Sequence, residues 1–78
     1  MELVISSPLQ RNVHDVAWVE LNSDVGNLII QPSHAPMVIA LKRDSQVIYG
    51  LMSGKQDTIT VVSGIAHVTR ESVLLLVV

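Results

Sequence analysis

The sequence has 78 residues and no cysteine. This absence removes disulfide frameworks, thiolate metal sites and cysteine nucleophiles together, and it favours a cytoplasmic location because secreted domains this small often depend on disulfides. The three histidines lie in unrelated contexts, without the close paired spacing that zinc sites show. We therefore expect no resident metal and no cofactor.

Basic and aromatic residues are also scarce. Five Lys plus Arg against seven Asp plus Glu give a formal net charge of −2, and the basic residues are scattered along the chain. Phosphate backbones attract clustered positive charge, and base stacking needs more aromatic rings than Trp18 and Tyr49 supply. The four glycines are isolated and form no phosphate-binding loop. These features argue against nucleic-acid partners and against nucleotides or other small-molecule ligands.

The chain has no apolar segment long enough to cross a membrane as a helix. Its continuously apolar C-terminus, Val73 to Val78, covers six residues, whereas a spanning helix needs roughly 20. The N-terminus carries Glu2 where a signal peptide would have basic residues. We expect neither a signal peptide nor direct insertion into a membrane.

The sequence is rich in β-branched residues, with thirteen Val and seven Ile against four Ala. Branched side chains suit a pleated sheet and crowd a helix. Short apolar runs are separated by turn residues; they are Leu3–Ile5, Val16–Leu21, Leu28–Ile30, Met37–Leu41, Val47–Met52, Ile59–Val62, Ile65–Val68 and Val73–Val78. The pattern predicts one all-β domain over residues 1–78, a flattened β-sandwich or barrel of about 8–10 short, mostly antiparallel strands with no long helix.

Side-chain alternation predicts which faces of these strands are buried. In the second run one face holds Ala17, Val19 and Leu21, and the other holds Val16, Trp18 and Glu20. The runs that begin at Val47 and Val73 are apolar on both faces. A sandwich covers only one face of a strand internally, so the other face needs a barrel neighbour, a partner subunit or a further segment.

Candidate catalytic residues are few. His14 next to Asp15 would pair a base with an orienting acid, but neighbours in an extended chain point to opposite faces, so a surface turn is the simpler interpretation. His67 lies between two apolar residues of a strand and is expected to be an outward polar residue. We expect no catalytic residues, and a small hydrolase built on His14 is the remote alternative.

A proline-flanked corner separates the third and fourth runs. Pro32 and Pro36 enclose Ser33, His34 and Ala35, and the two prolines fix their own φ angles and restrict the residues before them. Such a stiff corner suits a recognition surface, because a rigid loop loses little entropy on docking. On the residues alone, a plain turn with a solvated histidine is the favoured interpretation.

These segments resemble the N-terminal β-sandwich domain of the epsilon subunit of F-type ATP synthases, called delta in mitochondria. The residues that match the family hallmark, a glycine turn followed by a Pro-Gly-His-Ala-Pro corner and a strand ending in Lys, are Gly26, Leu28, Pro32, His34, Ala35, Pro36 and Lys42. A second signature, Ser-Gly-Gly before a strand ending in Val, is similar to Ser63–Val68. The chain departs from the pattern at Asn27, where the family has Glu, and at Ile29 and Ser33, where it has Gly.

The resemblance implies a non-catalytic rotor subunit at the foot of the central stalk, which links gamma to the membrane c-ring and couples ion translocation to ATP synthesis or hydrolysis. This places it on the cytoplasmic face of the inner or plasma membrane, or on the organelle equivalent, as a peripheral part of the complex. The implied gamma-facing residues are Ser33, His34, Pro36 and Ile39, and the implied ring-facing residues are Gly26, Asn27 and Leu28.

The family continues into a two-helix C-terminal domain that inhibits ATP hydrolysis, and we expect that domain and its inhibitory activity to be absent from this chain. An alternative function stays open beside the rotor subunit. The chain could be an unrelated small β-sandwich adaptor, or a homodimeric interaction module, that pairs through its apolar C-terminal strand.

Overall fold

The computed structural model describes all residues, 1–78, as eight strands without a helix. The strands are β1 (Glu2–Ser6), β2 (Arg11–Ser23), β3 (Gly26–Ile30), β4 (Met37–Ala40), β5 (Ser45–Leu51), β6 (Gln56–Val61), β7 (Gly64–Val68) and β8 (Ser72–Val77). Each of the eight predicted apolar runs corresponds to one of these strands. The expectation of an all-β domain of short strands is confirmed, at the lower end of the expected strand number.

The strands follow one continuous hydrogen-bonded path, β4-β7-β8-β1-β2-β5-β6, with β3 added on β2. The 13-residue β2 belongs to both layers of the sandwich. Its first part pairs with β1, and its second part pairs with β3 and β5. We call β4, β7, β8, β1 and the start of β2 the first sheet, and the rest of β2 with β3, β5 and β6 the second sheet.

All but one of the strand pairs are antiparallel. The exception joins the two ends of the chain, because β1 and β8 run parallel with Val4 opposite Leu74. An isolated bridge between Ser23 and Leu41 ties the end of β2 to the residue after β4. The outer strands β4 and β6 each keep a free edge, so the sheet does not close into a barrel.

A single core cluster lies between the two sheets. It contains fifteen buried apolar residues contributed by all eight strands and by Leu41 after β4. The bulkiest fully buried members are Leu3, Leu21, Ile30 and Leu75. Each apolar side chain of this size contributes about 1.5–3 kcal/mol when it leaves water, so this cluster is the main source of stability for the domain.

The predicted alternation in β2 is wrong at its start. A bulge lies between Val16 and Trp18, and the extra residue turns Ala17 to solvent while Val16 joins Val19 in the core. A bulge places two residues of one strand opposite one residue of its neighbour, which resets the inward and outward order. From Val19 onward the alternation follows the prediction, with Leu21 buried and Glu20 on the outer face.

Candidate partner-binding surfaces

All of the predicted interface residues except Ile39 lie at the two ends of β3. Gly26, Asn27 and Leu28 begin the strand, whereas Ser33 to Pro36 follow its last residue, Ile30. Five residues at about 3.3 Å each separate the two ends by roughly 15 Å. The structure therefore keeps the glycine turn and the proline corner apart, on two different parts of the molecule. Ile39, the remaining residue of the predicted gamma set, instead lines one groove together with Leu28.

The β2–β3 turn projects into solvent and is held by hydrogen bonds of the Ser23 side chain. Gly26 adopts a φ of 136°, a conformation that side chains other than glycine rarely adopt. The Ser23 hydroxyl donates to the Gly26 carbonyl at 3.0 Å and accepts from the Val25 N–H at 3.3 Å. Val25 stands at the tip with 96% of its surface exposed. The turn thus holds an apolar side chain out into solvent.

Asn27 is tied into the second sheet through a chain of amides. Its Nδ2 donates to Asn22 Oδ1 at 3.1 Å, and Asn22 Nδ2 donates to the Gln46 carbonyl at 3.1 Å. These bonds cross from β3 over β2 to β5. The neutral amide at this position therefore has a structural partner within the domain.

A shallow groove of about 300 Å³ runs between this turn and β4. It is mostly apolar, and Asp24 is its only charged lining residue; the lining comprises Ser23, Asp24, Val25, Leu28, Met37, Val38, Ile39 and Ala40. The groove extends the predicted c-ring surface toward the edge strand of the first sheet.

The proline corner folds back onto the β7–β8 turn. Ser33 has a φ of 68° and its N–H donates to the Arg70 carbonyl at 2.9 Å. The His34 N–H donates to the Gln31 carbonyl at 3.2 Å, and the His34 Nδ1 lies 2.8 Å from the Ala35 carbonyl. Pro36 and Ser33 are exposed and His34 is half-buried. The corner is a fixed shape that offers polar groups at the surface.

Ile39 does not share that surface. Only 7% of it is exposed and it belongs to the core cluster, because successive side chains of β4 point to opposite faces. Its neighbour Val38 is 69% exposed. The burial of Ile39 corrects the expectation that its side chain lies on the gamma-facing surface, and Val38 is the apolar side chain that β4 presents outward.

Val38 belongs to a wide apolar surface that was not predicted as a unit. On the outside of the first sheet the register aligns side chains across five strands, and we call this surface the first-sheet face: Val13, Val4, Leu74, His67 and Val38 in one row, with Leu76, Ile65 and Ala40 in the next. Val4 is buried yet lies outside the core cluster. The apolar residues on both faces of β8 were the sequence signal for this face. The strand register that assembles the face could not be predicted from the sequence.

The His14 and Asp15 pair does not form a catalytic site. His14 lies beside Tyr49, with ring centroids 5.1 Å apart and its Nε2 3.5 Å from the Tyr49 hydroxyl. Asp15 lies 3.4 Å from the N-terminal ammonium of Met1. The two side chains have separate partners, as their positions on opposite sides of a strand require.

The surroundings of Tyr49 change its acidity. Desolvation by burial raises the pKa of Tyr49, and the negative charge of the Asp57 carboxylate on β6 raises it further. His67, expected to be outward and polar, is exposed on the first-sheet face. No group of three or more His, Cys, Asp or Glu side chains is placed to hold a metal ion, and no helix is long and apolar enough to span a membrane.

Comparisons with known proteins relate this fold to one family. The ATP synthase delta/epsilon chain beta-sandwich domain matches residues 1–78. No curated protein matches the sequence.

Two solved structures share the fold. A chain of Euglena gracilis mitochondrial ATP synthase (OSCP, F1 and c-ring) aligns with a TM-score of 0.85 at 19% identity, over 96% of this chain and 48% of that one.

A chain of the Tetrahymena thermophila mitochondrial ATP synthase central stalk and c-ring aligns with a TM-score of 0.83 at 12% identity, over 99% of this chain and 62% of that one. The present chain thus spans about half of one relative and under two thirds of the other. Because the family match covers the whole sequence, the resemblance seen in the glycine turn and the His-Ala-Pro corner is confirmed: this chain belongs to the ATP synthase delta/epsilon family and comprises its β-sandwich domain.

Proposed function

We propose that this chain is a non-catalytic central-stalk subunit of a rotary F-type ATP synthase. It joins the gamma subunit to the c-ring, so that ion translocation through the membrane is coupled to ATP synthesis or hydrolysis in the catalytic head. The family match over residues 1–78 carries this proposal. The two structural relatives come from ATP synthases that contain a c-ring, which supports the same partners here.

The gamma subunit packs on the first-sheet face and the adjoining proline corner. The face offers Val38, Ile65 and Leu76 to solvent without any partner in this chain. Large exposed apolar patches are rare on monomeric proteins and mark interfaces. Obligate interfaces are also more apolar than transient ones, and a joint that transmits torque must remain associated. His34, Ser33 and Pro36 form the polar rim of this contact.

The c-ring contacts the β2–β3 turn at the other end of β3. The exposed Val25 and the braced segment Gly26, Asn27 and Leu28 form the contact, and the adjacent groove receives apolar atoms of a ring loop. Because Asn27 carries no charge and already donates to Asn22, this contact depends on shape and apolar surface more than on an ion pair. The subunit is then a peripheral part of a membrane complex, on the cytoplasmic face or its mitochondrial equivalent.

Co-purification from host membranes tests this function. The tagged chain should recover both gamma and the c-ring, and the gamma subunit should be lost when Ile65→Asp or His34→Glu places a carboxylate in the apolar contact or at its rim. Thr58→Asp, exposed on the outside of the second sheet, is the matched control and should retain both partners. A soluble, folded chain that recovers neither partner would reject the rotor assignment.

The first-sheet face also favours a second candidate, a homodimeric interaction module. A dimer through this face would bury Leu76 of each copy, and its signature is the molar mass of the purified chain. Light scattering that gives twice the chain mass, returning to the monomer mass with Leu76→Asp, supports the dimer. A monomer at high concentration excludes it and leaves the face for gamma.

A further inference from the structure

His67 is the only ionisable side chain that β4, β7 and β8 present on the first-sheet face. The register places Val38 of β4 on one side of it and Leu74 of β8 on the other, and Cβ atoms of such cross-strand pairs are about 4.5–5.5 Å apart. Ile65 precedes it by two residues on the same face of β7, with Leu76 beside that isoleucine on β8. The imidazole therefore lies among apolar side chains.

The ring of His67 has no polar partner within the chain. The rings of His14 and His34 each lie within hydrogen-bond distance of another group of the chain. The ring of His67 does not, and it forms no ion pair. Its side chain is exposed, so water supplies its hydrogen bonds in the free chain. A partner that covers the ring must replace those bonds, because a buried polar group without a hydrogen bond is costly.

Charged groups lie at the margins of this apolar area. Glu2 on β1 is two strands across and two residues along from His67, roughly 12 Å away in the register, which exceeds the Debye length of about 8 Å at physiological ionic strength. The other ionisable groups at the border are Arg11 and Asp15 on β2, His34 in the proline corner, Lys42 after β4, and Arg70 and Glu71 in the β7–β8 turn. A proton on His67 is therefore a positive charge within an otherwise uncharged area.

These surroundings favour an uncharged partner surface over His67. Imidazole rings are mostly neutral near pH 7.5, so a partner carboxylate held here would be buried among apolar groups without a counter-charge. The cores of stable interfaces are depleted of charged residues. A hydroxyl, an amide or a backbone carbonyl of the partner satisfies the neutral ring. A protonated ring under the same cover is a buried charge without a balancing anion.

We propose that His67 makes the contact between this chain and gamma sensitive to pH: the contact forms with the ring neutral and covered by uncharged gamma atoms, and protonation of the ring weakens it. The inference rests on the proposed function, because gamma is the partner assigned to the first-sheet face. Binding below neutral pH must release the proton that the ring carries in the free chain. Affinity therefore falls as the pH drops through the range in which imidazole titrates, and acidification of the compartment loosens this joint of the rotor.

The test measures the affinity of the intact chain for the gamma subunit of its own complex at several pH values. From about pH 7.5 to about pH 5.5 the affinity of the parent should fall about ten-fold, as one imidazole requires. His67→Gln keeps hydrogen-bonding groups and cannot gain a charge, so its affinity should change by less than about two-fold relative to that fall. Titrating groups of gamma are common to both chains, and the ratio of the two affinities isolates His67. His14→Gln, whose parent ring lies beside Tyr49, is the matched control and should follow the parent.

A fixed charge and a proton count complete the test. His67→Lys should bind about ten-fold more weakly than the parent near pH 7.5. Calorimetry in two buffers of different ionisation enthalpy, near pH 6.5, should show about half a proton released on binding by the parent and not by His67→Gln.

Two kinds of result would overturn the proposal, and they differ in what else they reject. Tighter binding at acid pH, or the same pH dependence in the parent and in His67→Gln, would reject the role of His67 while leaving the gamma contact in place. No binding of gamma at any pH would reject the contact itself, and the pH response with it.

Discussion

At the scale of single residues, Gly64 shows what the sequence signature preserves. The Ser63 and Gly64 pair was recognised as a family motif, but its physical reason appears only in the register. A Cβ at residue 64 would lie 2.5 Å from the Leu76 carbonyl oxygen on β8. The glycine lets the start of β7 approach β8 more closely than a side chain would allow, and no local sequence pattern reveals which backbone passes beside it.

Gly64→Ala should therefore destabilise the domain. The atom that would be struck is a backbone oxygen, which cannot rotate away, so β8 must shift and core packing is disturbed. We expect a loss of about 1–3 kcal/mol in the free energy of unfolding, measured by urea denaturation. Ser53→Ala, at an exposed turn position, should stay within about 0.5 kcal/mol of the parent. An equally stable Gly64→Ala variant would contradict the close approach.

Tyr49 makes the stability of the domain fall at alkaline pH. Because burial and then Asp57 raise its folded-state pKa above the unfolded value, the native state holds the phenolic proton after the unfolded chain has released it. The stabilisation is complete below the unfolded pKa of about 10 and is lost as the pH rises through the folded pKa.

Ultraviolet titration measures the effect directly, since Tyr49 is the only tyrosine. Asp57→Asn should lower its apparent pKa toward the ordinary value. In unfolding experiments above pH 10, Tyr49→Phe should lose less stability per pH unit than the parent, with lysine ionisation common to both. Parallel curves for the two chains would show that Tyr49 is not the linked group.

At the scale of elements, β2 marks where sequence prediction succeeds and where it stops. The apolar run from Val16 to Leu21 predicted a strand, but β2 begins five residues earlier at Arg11. That polar beginning is a strand because β1 pairs with it, from Glu2 opposite Asp15 to Ser6 opposite Arg11. Alternation of apolar residues predicts a half-buried strand, and it cannot predict a strand segment that is fixed mainly by its hydrogen-bonded neighbour.

The amide chain on β2 predicts how β3 is held. Asn22 bonds both Asn27 on β3 and the Gln46 carbonyl on β5. Asn22→Ala should cost about 1 kcal/mol, and hydrogen exchange should accelerate in β3, which pairs with β2 alone. Exchange in β1 and β8 should not change, and Gln56→Ala on β6 is the comparison variant. Uniform acceleration across all strands would instead indicate a global loss of stability.

At the scale of the whole molecule, the sequence predicts the strands better than their arrangement. The eight apolar runs and the proline corner could be predicted from local sequence, and the family resemblance predicted the β-sandwich fold. The parallel pairing of β1 with β8 joins residues about seventy positions apart in the chain, such as Val4 and Leu74. That pairing adds Val4 to the first-sheet face, while the β4–β7 and β7–β8 pairs bring Val38, Ile65 and Leu76 together on it. This is why Val38, Ile65 and Leu76 did not emerge from the sequence as one surface.

Two adjacent residues of β8 should therefore affect different properties, one the stability of the domain and the other its binding to gamma. Leu75 is fully buried in the core, whereas Leu76 is 46% exposed on the first-sheet face. Leu75→Ala should lower the free energy of unfolding by about 2–5 kcal/mol, and Leu76→Ala by much less because its side chain is already partly in water. Under the proposed function, the two variants should have the opposite order of effect on gamma binding. At a temperature where both variants are folded, Leu76→Ala should weaken recovery of gamma and Leu75→Ala should not. Calorimetry and co-purification of the two variants decide this. Loss of gamma in both, or in Leu75→Ala alone, would mean that the partner senses overall stability, and the first-sheet face would then lose its role as the gamma contact.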